Sequence, residues 1–434
     1  MSDLPSETGS TAARTPEPRL RTADRQQLLP AMTLEELLDS DHQARVVWDF
    51  VAELDLSPLY ARIRAVEGGP GRPAIDPRIL LALWLYATLE GVGSARAVSW
   101  LCEHHNAFRW LAGGVSIDHH TLSDSRVGEV DLLDRLLTHS VAVLREQDLV
   151  DLNRVAQDGM RVRASAGAAS FHRRGTLEQH LHEAQEQVQR LKQELDGDPA
   201  APSRRQAAAR QRAARERVER LQQALARLPE LEAKKAPDEK DKARASSTEP
   251  QATVMKMADG GFRPAYNFQY SSDCPSQVIV GVEVTTTGSD MGQLTPMNEQ
   301  IRDRHQVYPK EALVDGGFAQ HRDIEAAHTR CGGCTVYAPV PKPRDPERDR
   351  YAPHEGDSPT VAEWRARMAT EPAKAIYKQR AATAECVNAQ ARDRGLIRLL
   401  VRGLTKVRAI ALWYAIAHNL MCGVRLRAQA ALAG

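Results

Sequence analysis

The spacing of apolar positions changes twice along the chain. From Met32 to about Leu144 it is helical throughout: Thr33-Leu34-Glu35-Glu36 opens with a capping-type start and Val46 to Val51 continues an amphipathic run. Asp76-Pro77 then begins a strongly apolar helix over Ile79–Leu89, Gly91-Val92-Gly93-Ser94 breaks it, and Ala95 to Leu101 starts another. A helix, a short glycine-containing turn and a second helix suit a helix-turn-helix-like insertion into a DNA groove. From Val155 the period becomes two. Strands are expected at 155–162, as a hairpin over 254–257 and 262–268, at 278–286 as an interior strand, at 312–315 and at 335–340, with helices among the last of them.

A different pattern interrupts the strands. Leu177, Leu181, Ala184, Val188, Leu191 and Leu195 form one heptad seam, and Ala214, Val218, Leu221, Leu225 and Leu228 a second. Gly197-Asp198-Pro199 separates them, so residues 174–250 read as an inserted antiparallel coiled-coil hairpin. Residues 1–31, rich in Pro, Ser, Thr, Ala and Arg without periodicity, read as a disordered leader. The expected organisation is therefore an all-α domain over 32–145, and an α/β domain of mixed sheet and flanking helices over 150–425.

Composition narrows the picture only a little. The 58 basic and 57 acidic residues nearly cancel, so any nucleic-acid surface must come from local asymmetry. One such stretch follows residue 391: Arg392, Arg394, Arg398, Arg402, Lys406 and Arg408 face only Asp393 as an acid. Phosphate-backbone contact is its natural use. Arg72, in Gly71-Arg72-Pro73, is a candidate for a minor groove. Six scattered cysteines do not make a disulfide framework. No apolar run reads as a membrane span and no signal segment is visible at the N-terminus, so the cytoplasm, with no membrane partner, is expected.

Three carboxylates sit where stability alone gives them no reason to be. Alternation places Asp158 with Ala156, Met160 and Val162 on one strand face, a single charge among apolar neighbours. Asp315 ends the apolar run Ala312-Leu313-Val314 with Gly316-Gly317 behind it, and sites in open α/β sheets are built at such strand ends. Glu385 lies in a helix expected from Thr370 to Gly395. At about 100° per residue, Glu385, Asn388 and Arg392 share a face within roughly 60°, Tyr377 lies at its margin, and Arg380 points about 140° away. Three carboxylates brought together make an oxygen site for Mg²⁺ or Mn²⁺.

Asp158-Gly159, Asp315-Gly316-Gly317-Phe318 and Tyr377-x2-Arg380-x4-Glu385-x6-Arg392 resemble the catalytic blocks of bacterial insertion-sequence transposases of the DDE class, in particular the group with a Tyr-Arg-Glu-Lys signature. The likeness runs from about Met32 to Leu420. Arg392 stands where the signature has lysine, and the gap between Arg380 and Glu385 is one residue longer than usual. The resemblance implies a ribonuclease-H-like catalytic domain in which Asp158, Asp315 and Glu385 are the catalytic residues and hold two Mg²⁺ (or Mn²⁺) ions. It also implies that Tyr377, Arg380, Asn388 and Arg392 work at DNA phosphates. The implied activity is metal-dependent cleavage at terminal inverted repeats and transfer of the 3′-OH into target DNA by a homodimer on DNA. Two other readings remain: a catalytically silent DNA-binding descendant, and a nuclease without strand transfer.

Overall fold

The computed structural model describes residues 32–65, 73–197, 204–343, 345 and 347–433. The expected leader and Arg72 lie outside them. Helices begin where short polar side chains satisfy free amides. The ring of His42 accepts from Ala44 N at the start of α1 (Gln43–Ala52), and α2 (Ser57–Tyr60) is a single turn. Asp76 accepts from Arg78 N before α3 (Pro77–Leu89), and Ser94 caps α4 (Ala95–His104). After α5 (Asn106–Ala112), Asp118 accepts from both His120 N and Thr121 N to start α6 (His119–Val127), and α7 (Val130–Glu146) completes the helical region.

Within this region α3 is enclosed: every residue from Leu81 to Ala87 is buried. The outer helix of the expected pair is α4, where Trp100 is 58% exposed and stacks on His104 at 4.4 Å.

Next come β1 (Arg154–Arg163), β2 (Phe171–His172) and the long helices α8 (Arg174–Gly197) and α9 (Arg204–Ala233). Leu177, Ala184, Leu221, Ala224 and Leu228 are buried together where these helices meet. The short ladder of β2 with β3 (Ala245–Ser246) closes their base. The chain then re-enters the sheet with β4 (Thr253–Lys256), β5 (Phe262–Asp273) and β6 (Ile279–Thr285). The remainder is α10 (Leu294–His305), β7 (Glu311–Leu313), α11 (His321–Arg330), β8 (Thr335–Tyr337), α12 (Pro359–Ala369), α13 (Glu371–Arg380), α14 (Cys386–Asp393) and α15 (Leu404–Ala433).

β5 runs antiparallel to β1 with Asp158 opposite Tyr270, and β7 and β8 follow on the other side of β1, both parallel. β4 and β6 pair with β5 along its far edge, β4 beside Phe262–Ala265 and β6 beside Asn267–Ser272. The sheet is mixed, with helices on both faces.

β6 corrects an expectation. Its β-branched run predicted an interior strand, yet it pairs with β5 alone. The run reflects burial of both faces, not a second strand partner. Its free edge is covered by side-chain amides. Asn419 donates to Ile279 O at 2.7 Å and accepts from Ile279 N at 2.7 Å; Gln300 does the same for Val282 at 3.0 and 2.9 Å. Such coverage blocks pairing with another chain.

Leu404–Leu432 is long and apolar enough to cross a membrane by length and composition, and 83% of its most apolar window is buried inside the protein. Here it is a core helix. Its Trp413 donates to Arg126 O and its Tyr414 hydroxyl to Val387 O, joining α6 and α14, while Asn419 holds β6. One apolar cluster contains Leu83, Trp84 and Leu122 of the helical region together with Met160, Tyr270, Val282 and Trp413, so the core is continuous across residue 150.

Asn419→Leu strips both partners from Ile279 at nearly constant volume. Two buried backbone groups without partners cost about 1–3 kcal/mol each, so the urea midpoint should fall with little change in slope. An unchanged midpoint would mean that the edge does not depend on its amide cover.

Candidate functional site

Asp158 lies midway along β1, beyond the point where β7 stops pairing, because the β1–β7 ladder covers only Arg154–Ala156. β7 ends at Leu313, and the chain turns at Asp315, whose Oδ1 accepts from Gly317 N at 2.8 Å. Asp315 therefore emerges beside the exposed flank of Asp158, close enough for its charge to push the Asp158 carboxyl upward.

The third carboxylate arrives from a helical run that starts at Thr370, whose hydroxyl accepts from Ala373 N. α13 and α14 are joined by a π-helical turn over Ala381–Glu385. A turn that closes i→i+5 sets residues five apart above one another. Arg380 and Glu385 are five apart, and Arg380 Nη1 donates to Glu385 Oε1 at 2.7 Å. The uniform helix that turned Arg380 about 140° from Glu385 is thereby corrected. The one-residue excess between them is taken up by the π turn.

Arg380 Nη2 lies 3.1 Å from Asp158 Oδ1, so one guanidinium, only 9% exposed, bridges two of the three carboxylates. Asn388 Nδ2 donates to Asp158 Oδ2 at 3.1 Å, and Gly159 N donates to Oδ1 at 2.9 Å. Asn388 and Arg380 are both buried and turned to the carboxylates. In this arrangement both Arg380 Nη atoms and Asn388 Nδ2 face the carboxylates, while Arg380 Nε is buried without a partner. Tyr377 is half-buried, and burial raises its phenol above the usual value; Arg380 pulls it back, and Asp315, Glu385 and Asp158 add to the rise.

Burial pushes the Asp158 carboxyl up; Arg380 pulls it down, and Asp315 adds to the rise. The donor chemistry fits a hard divalent cation: carboxylate oxygens around a position already carrying positive charge, and Asn388 Oδ1 buried without a partner nearby. Among the described residues no three acidic, histidine or cysteine donors converge as they stand, and the guanidinium of Arg380 lies between two of the carboxylates.

The basic stretch is tied to the same strand. Arg163 N donates to Ile397 O and Leu399 N to Arg163 O, so residues 397–399 extend the sheet past the end of β1, and Arg402 Nε donates to Ser165 O. Arg392, Arg398, Arg402 and Lys406 are exposed; Arg394 is half-buried, and Arg408 pairs with Asp134 at 3.3 Å.

Next to Gly159 a cleft of about 320 Å³ is lined by Arg161, Arg163, Arg263 and Arg392. The first three were not candidates by sequence: Arg161 and Arg163 share a face of β1 by alternation, and Arg263 joins them only because β5 runs beside β1. A fourth acid was also missed. Asp290, in the loop after β6, lies under Gly159 and beside Gly317, and Arg161 Nη2 is 3.6 Å from its Oδ2.

Arg380→Met removes the positive charge that pulls Asp158 down, so in EDTA its carboxyl should titrate higher still. A carboxyl raised by folding contributes stability that is complete below its unfolded value and is lost as pH rises through the folded one. The variant should therefore lose more stability than wild type between pH 4 and pH 7, read from denaturant midpoints at the two pH values. Equal losses would mean that Arg380 does not neutralise Asp158.

With this geometry in view, two family models match the chain. Residues 32–127 match a transposase domain (DUF772), and residues 312–422, which include Asp315 and Glu385, match a transposase DDE domain. Asp158 falls between the two matches. No curated protein and no solved structure matched. The two matched domains, in this order, support an insertion-sequence DDE transposase.

Proposed function

We propose that the protein binds the terminal inverted repeats of its element, cleaves there, and joins the freed 3′-OH to target DNA. The observation that carries this is the cluster of Asp158, Asp315 and Glu385 about the Arg380 guanidinium, beside a cleft lined by four arginines. The catalytic domain is read as ribonuclease-H-like. The strand order β6-β5-β1-β7-β8 supports that reading, with the β6–β5 and β5–β1 pairs antiparallel and the β1–β7 and β7–β8 pairs parallel. The proposed organisation keeps a helical DNA-binding domain over 32–145 and a catalytic domain over 150–425 carrying a coiled-coil insertion at 174–250.

Asp158, Asp315 and Glu385 are the residues that hold the metal. When bound, divalent ions (two Mg²⁺ or Mn²⁺ by the resemblance) supply the positive charge that acidifies water and stabilises a leaving oxygen at phosphorus. To admit them, Arg380 swings from between the carboxylates toward a phosphate, which gives it two partners in turn. Arg163 and Arg392 hold the DNA backbone against the site, and Arg398, Arg402 and Lys406 continue that track. In cleavage a water oxygen bonds to phosphorus as the 3′-oxygen leaves. In joining that 3′-oxygen bonds to a target phosphorus and displaces the target's own 3′-oxygen. Two ends joined in one event call for a homodimer on DNA. The reading places the protein in the cytoplasm.

The experiment is cleavage and joining of labelled terminal repeats with Mg²⁺ or EDTA, comparing wild type with Asp158→Asn, Asp315→Asn and Glu385→Gln. Metal-dependent release and joining of a 3′ end, reduced at least a thousandfold in the three variants while binding persists, is the expected result (roughly the loss when a group acting in the transition state is removed). Cleavage without joining would make the protein a nuclease; binding without cleavage would make it a silent DNA-binding protein.

A second measurement concerns the cleft. Arg163→Gln and Arg392→Gln together should weaken binding evenly across DNA sequences and reduce the slope of log affinity against log salt by about 2, roughly one for each phosphate no longer neutralised. A sequence-selective weakening with an unchanged slope would place the phosphate track elsewhere.

A further inference from the structure

Gly159, directly after Asp158, and Gly317, two residues after Asp315, both lie near one buried acid, Asp290. On a strand, neighbouring side chains point to opposite faces, so the position of Gly159 looks away from Asp158. There Asp290 fills the space: a methyl group at Gly159 would overlap Asp290 Oδ1, the Gln269 amide and Asn267 Oδ1. A methyl group at Gly317 would lie 2.9 Å from Asp315 Oδ1 and 3.7 Å from Asp290 Oδ2.

Asp290 is itself held. Its Oδ1 accepts from Asn267 Nδ2 at 2.7 Å and Gln269 Nε2 at 2.6 Å, both from β5. Gln269 Oε1 in turn accepts from Gln157 Nε2 at 3.0 Å, which returns the chain of contacts to β1 next to Asp158. Its loop is fastened at both sides, by Arg161 donating to Gly288 O at 2.6 Å and by Gly292 N donating to Asp323 Oδ2 at 2.7 Å. Asp290 Oδ2 accepts no hydrogen bond and has only Arg161 as a counter-ion, at 3.6 Å. A buried carboxylate is costly when left this sparsely compensated, and an uncharged side chain would pack β6 to α10 at less cost.

We propose that Asp290 is a positioning residue for the site, setting the backbones that carry Asp158 and Asp315 and adding negative charge behind the ions they hold. This rests on the proposed function. Asp290 packs closely against the strand at Gly159 and lies within reach of the turn at Gly317, so it sits behind both backbones that carry the two aspartates. Its unshared Oδ2 keeps a negative field on the side of the site that faces neither Glu385 nor solvent.

The experiment follows Mn²⁺ through its effect on the melting temperature of the DNA-free protein, and separately through cleavage. Wild type is compared with Asp290→Asn, Arg161→Gln and Glu385→Gln. Asp290→Asn keeps the shape and an oxygen for both amides, so it should melt within a few degrees of wild type in EDTA and bind terminal DNA equally well. Its Mn²⁺ half-saturation should rise about tenfold or more, the usual cost of losing a group behind the ligands of a metal, with cleavage recovering at high Mn²⁺. Arg161→Gln should move half-saturation the other way, because the charge of Asp290 is then less neutralised; a purely structural role predicts no such reversal.

A half-saturation within about twofold of wild type in Asp290→Asn overturns the inference, against the tenfold scale set by such groups. If Asp290→Asn does not fold, Arg161→Gln alone decides, and an unchanged half-saturation there overturns it. A wild-type response to Mn²⁺ that Glu385→Gln abolishes and Asp290→Asn retains defeats this inference and leaves the proposed function standing. A wild type indifferent to Mn²⁺ in both melting and cleavage defeats the two together.

Discussion

Three carboxylates at one end of a sheet repel one another, and the fold has to answer that repulsion with a fixed positive charge. At a separation of 4 Å and an effective dielectric near 20, two unit charges interact by about 4 kcal/mol, a large share of the net stability of a domain. The Arg380 guanidinium, 3.1 Å from Asp158 and 2.7 Å from Glu385, supplies the answer. Its placement sets requirements on its neighbours. The helix must widen over Ala381–Glu385 so that Arg380 and Glu385 coincide. Asn388 must be turned inward to the second oxygen of Asp158, and Tyr414 of α15 must reach Val387 to seat α14 against the core. Removing the charge would loosen all of these together.

The same contact also describes a state of the molecule. A guanidinium and a hard cation want the same carboxylate oxygens, so the two are alternatives for one position. In the state seen here Asp158 and Glu385 are neutralised from within the chain. The long, flexible arginine stem lets the charge leave without moving the helix that carries it.

Much of this was legible from residue pattern. Asp158 stood out because a strand face otherwise made of Ala156, Met160 and Val162 has no use for a charge, and Asp315 because an apolar run stopped on it. Helix limits around Thr370 followed from capping chemistry, and the return of the chain at Asp259-Gly260-Gly261 from turn chemistry. What was hidden had physical reasons. Nothing in Ala381-Ala382-Thr383-Ala384 distinguishes a π turn from an α turn, since all four residues tolerate either. The edge position of β6 was hidden because β-branched content reports covered faces, and its edge is covered by Gln300, in the next helix, and by Asn419, far along the chain. Asp290, in Gly288-Ser289-Asp290-Met291-Gly292, was not a candidate, since glycine and serine around it suit a turn; only packing beneath Gly159 sets it apart. Arg263 joins the cleft arginines only through strand pairing, which a single sequence does not state.

The insertion of α8 and α9 between β1 and β5 has a consequence for synthesis. Asp158 pairs with Tyr270, so the strand bearing the first carboxylate leaves the ribosome more than a hundred residues before its antiparallel neighbour, and its parallel neighbour β7 comes later still. Contacts this distant in sequence form slowly. The helices α8 and α9, whose buried contacts are mostly with each other, can collapse locally in the meantime. Later again comes α15, which joins the helical region to the sheet and covers the free edge of β6 at Ile279. Until that helix is released, β6 exposes unpaired backbone and the cluster of acids has no finished floor. A newly made chain therefore cannot cover this edge before α15 has been made, and until then β6 presents backbone groups that another strand could pair with.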